Sequence, residues 1–207
     1  MPSLASLTQG APAASALLTV IVVASLIGLR AGSALIERNL LRPYWLLRRR
    51  QYATLLSSGF LHADLAHLLF NGFTFWAFAF PLERAIDTPR FVALYFFGLF
   101  ASGLGTWLTH RRDPGYASLG ASGAILAVLF ASIVYFPTAS IFILPIPVPI
   151  PAPLFAVAYL GYTYYASRQA RGGVNHDAHL SGALAGLAFV ALSEPEALGR
   201  AWHTLLG

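Results

Sequence analysis

The chain has 207 residues, 57% hydrophobic and 10% charged, with a mean hydropathy of +0.66, which excludes an ordinary soluble domain and leaves an integral membrane protein. It has no cysteine, so disulfides, thiolate nucleophiles and cysteine-bound metals are excluded. All 13 basic residues are arginine, and with no loop large enough for a binding domain they point to anionic lipid, with no nucleic-acid role.

Residues 1–13 are uncharged and lack the basic start of a signal peptide, so they are expected to be a short N-terminal tail. The first apolar span covers 14–29, or reaches 36 with tilt. A mixed segment follows, with Pro43 outside any helical core and Tyr44 and Trp45 beside Arg48, Arg49 and Arg50, the composition of an interfacial anchor. Further spans are expected over 65–82, 91–109, 123–136, 154–166 and 178–192. Between the fourth and fifth, Pro145, Pro147, Pro149, Pro151 and Pro153 alternate, which a helix does not tolerate, so an extended connector is predicted. Six spans use most of the chain, leaving one helical membrane domain over 14–193 and a short C-terminal tail over 194–207.

Within these spans a few polar groups stand where lipid or core is expected, and each is a site candidate. Ser122 lies between Gly120-Ala121 and Gly123 at the start of an uncharged helix, where unpaired N–H groups and the helix dipole favour an oxyanion. Small residues at a helix start also simply permit close packing, and that reading stands beside the first. His67 and Asn71 are four residues apart on one helix face, with His62 just ahead of them. His179 is followed on its own face by Gly182, Ala183 and Gly186, a stripe that lets a neighbouring helix come close. A serine needs a base, and His179 has the chemistry for it, with His67 and Asn71 as additional oxyanion donors. Two other uses of these histidines stay open at this point: a zinc site drawing on His62, His67, His176 and His179, although no HExxH spacing is present, and a proton or ion pathway. A plain interhelical His–Asn hydrogen bond is a third. Asp64 and Asp177, at span edges, read as solvated or capping residues.

Taken together, the segments Ser58-Gly-Phe-Leu-His-Ala-Asp64, His67-Leu-Leu-Phe-Asn71, Leu82-Glu-Arg84, Gly120-Ala-Ser-Gly123 and Ala178-His-Leu-Ser-Gly182 followed by Gly186 resemble the rhomboid family of intramembrane serine proteases. The resemblance covers about 51–189. It implies an all-α bundle of six transmembrane helices, with a water-filled cavity opening to one membrane face. It further implies a Ser122–His179 dyad that needs no metal or cofactor, with His67 and Asn71 supporting the oxyanion beside Gly120 and Gly123. His62 matches a histidine near the cavity, with a structural or water-organising role. Glu83-Arg84 matches an acidic-basic pair expected to stabilise the first loop region or the helix end. Expected partners are the lipid bilayer and transmembrane protein substrates, and the expected location is a bacterial inner membrane. A non-catalytic rhomboid-like protein that captures transmembrane clients is the alternative.

Two positions depart from the pattern. Leu126 stands where many members carry an aromatic that stacks on the histidine, so His179 is expected to be less firmly oriented. Asp87 replaces a common glycine, so the backbone there is expected to differ. The arginines add a conflict. Arg38, Arg42, Arg48, Arg49, Arg50, Arg111, Arg112, Arg168 and Arg171 share the side of the site, against Arg84, Arg90 and Arg200 opposite, which by the positive-inside rule puts the mouth in the cytoplasm. The usual bacterial arrangement of the family opens outward.

Overall fold

The computed structural model describes residues 10–143, 146–169 and 173–207, so most of the N-terminal tail, Pro145 and Arg171 lie outside the described residues. A helix occupies each of the six expected spans: α1 (Pro12–Ala31), α5 (Leu65–Ile86), α6 (Thr88–His110), α7 (Ser122–Tyr135), α8 (Ala152–Gln169) and α9 (His176–Ser193). Between α1 and α5 lie α2 (Ser33–Asn39), α3 (Pro43–Arg48), α4 (Thr54–Ser57) and a 3₁₀ turn, and after α9 the expected tail is itself helical as α10 (Pro195–Leu206). By length and composition α1, α5 and α6, with 20, 22 and 23 residues, can cross a bilayer. The protein is an all-α membrane protein.

The bundle is centred on α7. Every residue from Gly123 to Val134 is buried, because the helix is surrounded by α5, α6 and α9 and carries no charge. It has only 14 residues, which at 1.5 Å each span ~21 Å against ~30 Å of hydrocarbon. Its C-terminal end is tied to a polar cluster in which Glu194 accepts from the Tyr135 hydroxyl at 2.8 Å and pairs with Arg90 at 3.1 Å and with Arg200. At this length α7 is ~9 Å too short to reach both membrane faces.

In the segment between α1 and α5, Pro43 lies outside a helix interior: it is the first residue of α3, a place where its missing N–H leaves nothing unpaired. Arg48 stacks over the Tyr44 ring at 3.9 Å and Arg49 over Trp45 at 3.8 Å, which joins the arginines and the aromatics into one interfacial unit. Leu41 and Ser118 exchange backbone hydrogen bonds of 2.9 and 3.0 Å, so this segment is fastened to the loop that leads into α7.

The proline-rich connector is extended, and it forms an antiparallel ribbon of β1 (Ser140–Ile143) and β2 (Ile146–Pro151). Alternation makes this possible. Ser140 pairs with Pro151, Ile141 with Ile150 and Ile143 with Ile146, with an irregular register between Ile141 and Ile143, and in an extended strand alternating prolines can direct their donor-less nitrogens to the free edge that a two-stranded ribbon has.

Of the pair Glu83-Arg84, the glutamate takes the helix-end role. Glu83 is 1% exposed, and its carboxylate accepts from Ala13 N at 3.0 Å and Ala14 N at 2.7 Å, capping the N-terminus of α1. The Thr88 hydroxyl donates to the same carboxylate at 2.7 Å. One side chain thereby joins the start of α1, the end of α5 and the start of α6.

At the adjacent Asp87 the backbone takes φ 71°, ψ 160°, a conformation that glycine alone adopts at no cost. The turn is of a glycine type with an aspartate placed in it, which partly offsets the strain by accepting from Arg90 N at 3.0 Å as the N-cap of α6. Asp87→Gly is therefore expected to stabilise the protein by about 1–2 kcal/mol, since strain of ~1–3 kcal/mol is relieved and a glycine cap loses only a few tenths. Asp87→Ala keeps the strain and loses the cap. Melting temperatures in one detergent should rank Gly above Asp above Ala, and equal values for Gly and Ala would refute this account of the turn.

Candidate active site

Ser122 and His179 are brought together by glycine. A Cβ on Gly182 would stand 2.1 Å from the carbonyl oxygen of Gly123, and one on Gly186 would stand 2.2 Å from that of Ala127, so α9 and α7 touch backbone to backbone. Gly123 leaves room in the same way for Ser102 of α6. The stripe that follows His179 therefore does what its spacing predicts. At the top of this contact His179 Nε2 lies 2.9 Å from Ser122 Oγ.

The first turn of α9 is fixed from two further directions. Asn175 is its N-cap, accepting from Ala178 N at 3.0 Å, while its amide donates to the Thr106 hydroxyl of α6 at 2.9 Å. Asp177 is not a cap: it pairs with His110 Nε2 at 2.8 Å, and the His110 ring stacks flat on Tyr116 at 3.6 Å. Burial, with Asp177 and Asp113 nearby, pushes the Tyr116 phenol up to about 12, so it stays neutral as a stacking partner. Asp64 does cap α5, accepting from His67 N at 2.8 Å.

Ser122 opens α7 with no side chain capping the helix, so the N–H groups of its first turn face the site. Gly120 is not one of these donors, because its N–H bonds to the Ser58 carbonyl at 2.9 Å. What Gly120 supplies is space and conformation: φ is 127°, and a Cβ would stand 2.7 Å from His67 Cε1. His67 is thus packed against the loop two residues ahead of the serine. Asn71 is 8% exposed, and its amide donates back to the His67 carbonyl at 3.0 Å, which uses one of its two N–H bonds and orients the group.

His62 is fully buried, edge-on to His67 with ring centroids 4.8 Å apart. Its Nδ1 lies 2.8 Å from Ser25 Oγ, which also lies 3.1 Å from the Phe60 carbonyl oxygen. Its Nε2 has no partner among the described residues. Among the described residues no group of three His, Cys, Asp or Glu side chains is placed to hold a metal ion.

Leu126 is buried beside Phe130 and Ile133, and no aromatic from α7 covers His179. The histidine is nonetheless held, because Tyr159 of α8 places its hydroxyl 3.1 Å from His179 Nδ1. Both imidazole nitrogens are therefore engaged. Tyr159 is the site residue that sequence reasoning missed: its one signal is a phenol in an apolar span, which does not reveal what it faces.

The rhomboid domain model matches residues 49–194, from the end of α3 to the end of α9. The chain belongs to the rhomboid family. YdcA of Bacillus subtilis, named as a candidate rhomboid protease, is 34% identical over 101 residues, covering 48% of this chain and 50% of its own. The human presenilin-associated rhomboid-like protein, mitochondrial, is 29% identical over 171 residues, covering 73% of this chain and 42% of its own. Rhomboid protein 1, mitochondrial, of Saccharomyces cerevisiae is 29% identical over 158 residues, covering 72% and 45%. This rhomboid chain spans half or less of the length of each. Its family and its fold agree on an integral membrane protein.

Proposed function

We propose that this rhomboid protein is a serine endopeptidase that cleaves transmembrane segments of other membrane proteins with Ser122 as nucleophile and His179 as base. The observation that carries the reading is the 2.9 Å contact from Ser122 Oγ to His179 Nε2 at the N-terminal end of α7. In the reaction, Nε2 takes the hydroxyl proton as Oγ bonds to the scissile carbonyl carbon. The oxyanion forms beside the first-turn N–H groups of α7, and side-chain donors from His67 and Asn71 add to them. On collapse the C–N bond breaks and His179 returns the proton to the leaving amine. Water, deprotonated by the same histidine, then frees the acyl group from Ser122. No metal or cofactor takes part.

A substrate helix shields its carbonyls by hydrogen bonding, so it must unwind before attack, and small or helix-breaking residues near the scissile bond would favour cleavage. We propose that entry is past α8, where only Ala152 and Thr163 are buried and Leu154, Val157, Tyr162 and Tyr165 are exposed. A bacterial plasma membrane is the proposed location, in keeping with the similarity to YdcA of Bacillus subtilis.

The test is cleavage of single-span substrates by the purified protein in liposomes. Products whose new termini lie in or beside the span are expected. Substrates that are captured intact by a folded protein would replace the protease with a rhomboid-like binder of transmembrane clients.

A further inference from the structure

We propose that Tyr159 is the positioning residue for His179, its phenol oxygen accepting the Nδ1 proton so that the bare Nε2 faces Ser122; this rests on the Ser122–His179 reading given above. A neutral imidazole has one N–H and one lone pair. If Nε2 is to take the serine proton, the hydrogen must sit on Nδ1, and a buried N–H without an acceptor is disfavoured. The contact the structure provides for that nitrogen is Tyr159 Oη at 3.1 Å, opposite Ser122 Oγ at 2.9 Å on Nε2. A phenol in an apolar setting remains protonated and can still accept through its oxygen lone pairs. It does the orienting without introducing a second charge.

Tyr159 is itself well held. Its ring stacks on Phe155, with centroids 5.4 Å apart and planes at 24°, and packs against Phe130 of α7 at 5.9 Å. Its carbonyl accepts from the Thr163 hydroxyl at 2.7 Å. The loss of an aromatic at Leu126 gives this contact its weight. With no ring from α7 over the imidazole, orientation of His179 comes from the edge, through a hydrogen bond from α8, in place of stacking on its face.

The experiment is nitrogen NMR of ¹⁵N-histidine-labelled full-length protein in nanodiscs, with His179→Gln identifying the signal, alongside kcat and KM for wild type and Tyr159→Phe. The wild type is expected to show His179 protonated at Nδ1 and bare at Nε2. Tyr159→Phe keeps the ring packing and removes the acceptor. It should give a mixture of both tautomers, with kcat down about tenfold, the worth of one neutral hydrogen bond, and KM unchanged. A wild-type histidine protonated at Nε2 would overturn the proposal without any variant, as would a Tyr159→Phe protein with wild-type tautomer and kcat. If wild type cleaves nothing and Ser122 resists a fluorophosphonate, the protease reading fails on its own, and the wild-type tautomer still decides what Tyr159 does to His179.

Discussion

Ser122→Ala and His179→Ala are each expected to lower cleavage by about 10⁴-fold or more, and the double variant should be no worse than either single one. Both residues serve one step. Without Oγ there is no nucleophile, and without Nε2 the hydroxyl keeps its proton at neutral pH, so losing the second group adds nothing to losing the first. The fold should tolerate both changes. Ser122 lies at a helix start with its hydroxyl directed at His179, and the backbone contact of α7 with α9 depends on Gly123, Gly182 and Gly186. Initial rates in liposomes, with melting temperatures as a control, test this. Residual activity above a hundredth of wild type in a folded Ser122→Ala protein would remove the serine from the reaction.

The second large effect is on stability. Glu83→Ala should destabilise the protein by about 3–5 kcal/mol, because two N–H groups at the start of α1 and the Thr88 hydroxyl lose a buried acceptor and each orphaned group costs ~1–3 kcal/mol. Glu83→Gln retains one acceptor oxygen and should lose roughly half as much. Catalysis is expected to survive below the melting temperature, since Glu83 is twelve residues beyond Asn71 on α5, or ~18 Å along the helix. Thermal unfolding in micelles with activity measured at low temperature separates the two. An Ala variant as stable as wild type would mean that α1 is held by its apolar face alone.

The Ser122–His179 contact is legible in the sequence because its geometry is local on each helix. Ser122 carries glycines on both sides of a helix start, and His179 carries its packing stripe at +3, +4 and +7, so each sequence states which face meets a partner. His67 and Asn71 were legible for the same reason, by their spacing of four. Contacts that join distant segments were not. Glu83 reaches N–H groups 69 and 70 residues earlier, and Asp177 meets a histidine 67 residues away. Nothing in the spacing of either acid names its partner. The sequence puts Gly120 beside the serine, and only the folded loop reveals that its N–H is held by Ser58 and that its missing Cβ makes room for His67.

Two departures from the family pattern turned out to be informative about physics. At Leu126 the missing aromatic suggested a loosely held histidine, and Tyr159 answers it from another helix, a compensation that cannot be read until α8 is packed. At Asp87 the missing glycine suggested an altered backbone, and the aspartate itself stands at φ 71° with a cap in return.

The most direct measurement is covalent labelling of the folded wild-type protein in liposomes by a fluorophosphonate, with the modified residue mapped by mass spectrometry. The account predicts one adduct, on Ser122, that disappears in His179→Ala while the protein stays folded. No adduct, or an adduct on another serine that forms equally well without His179, would contradict it.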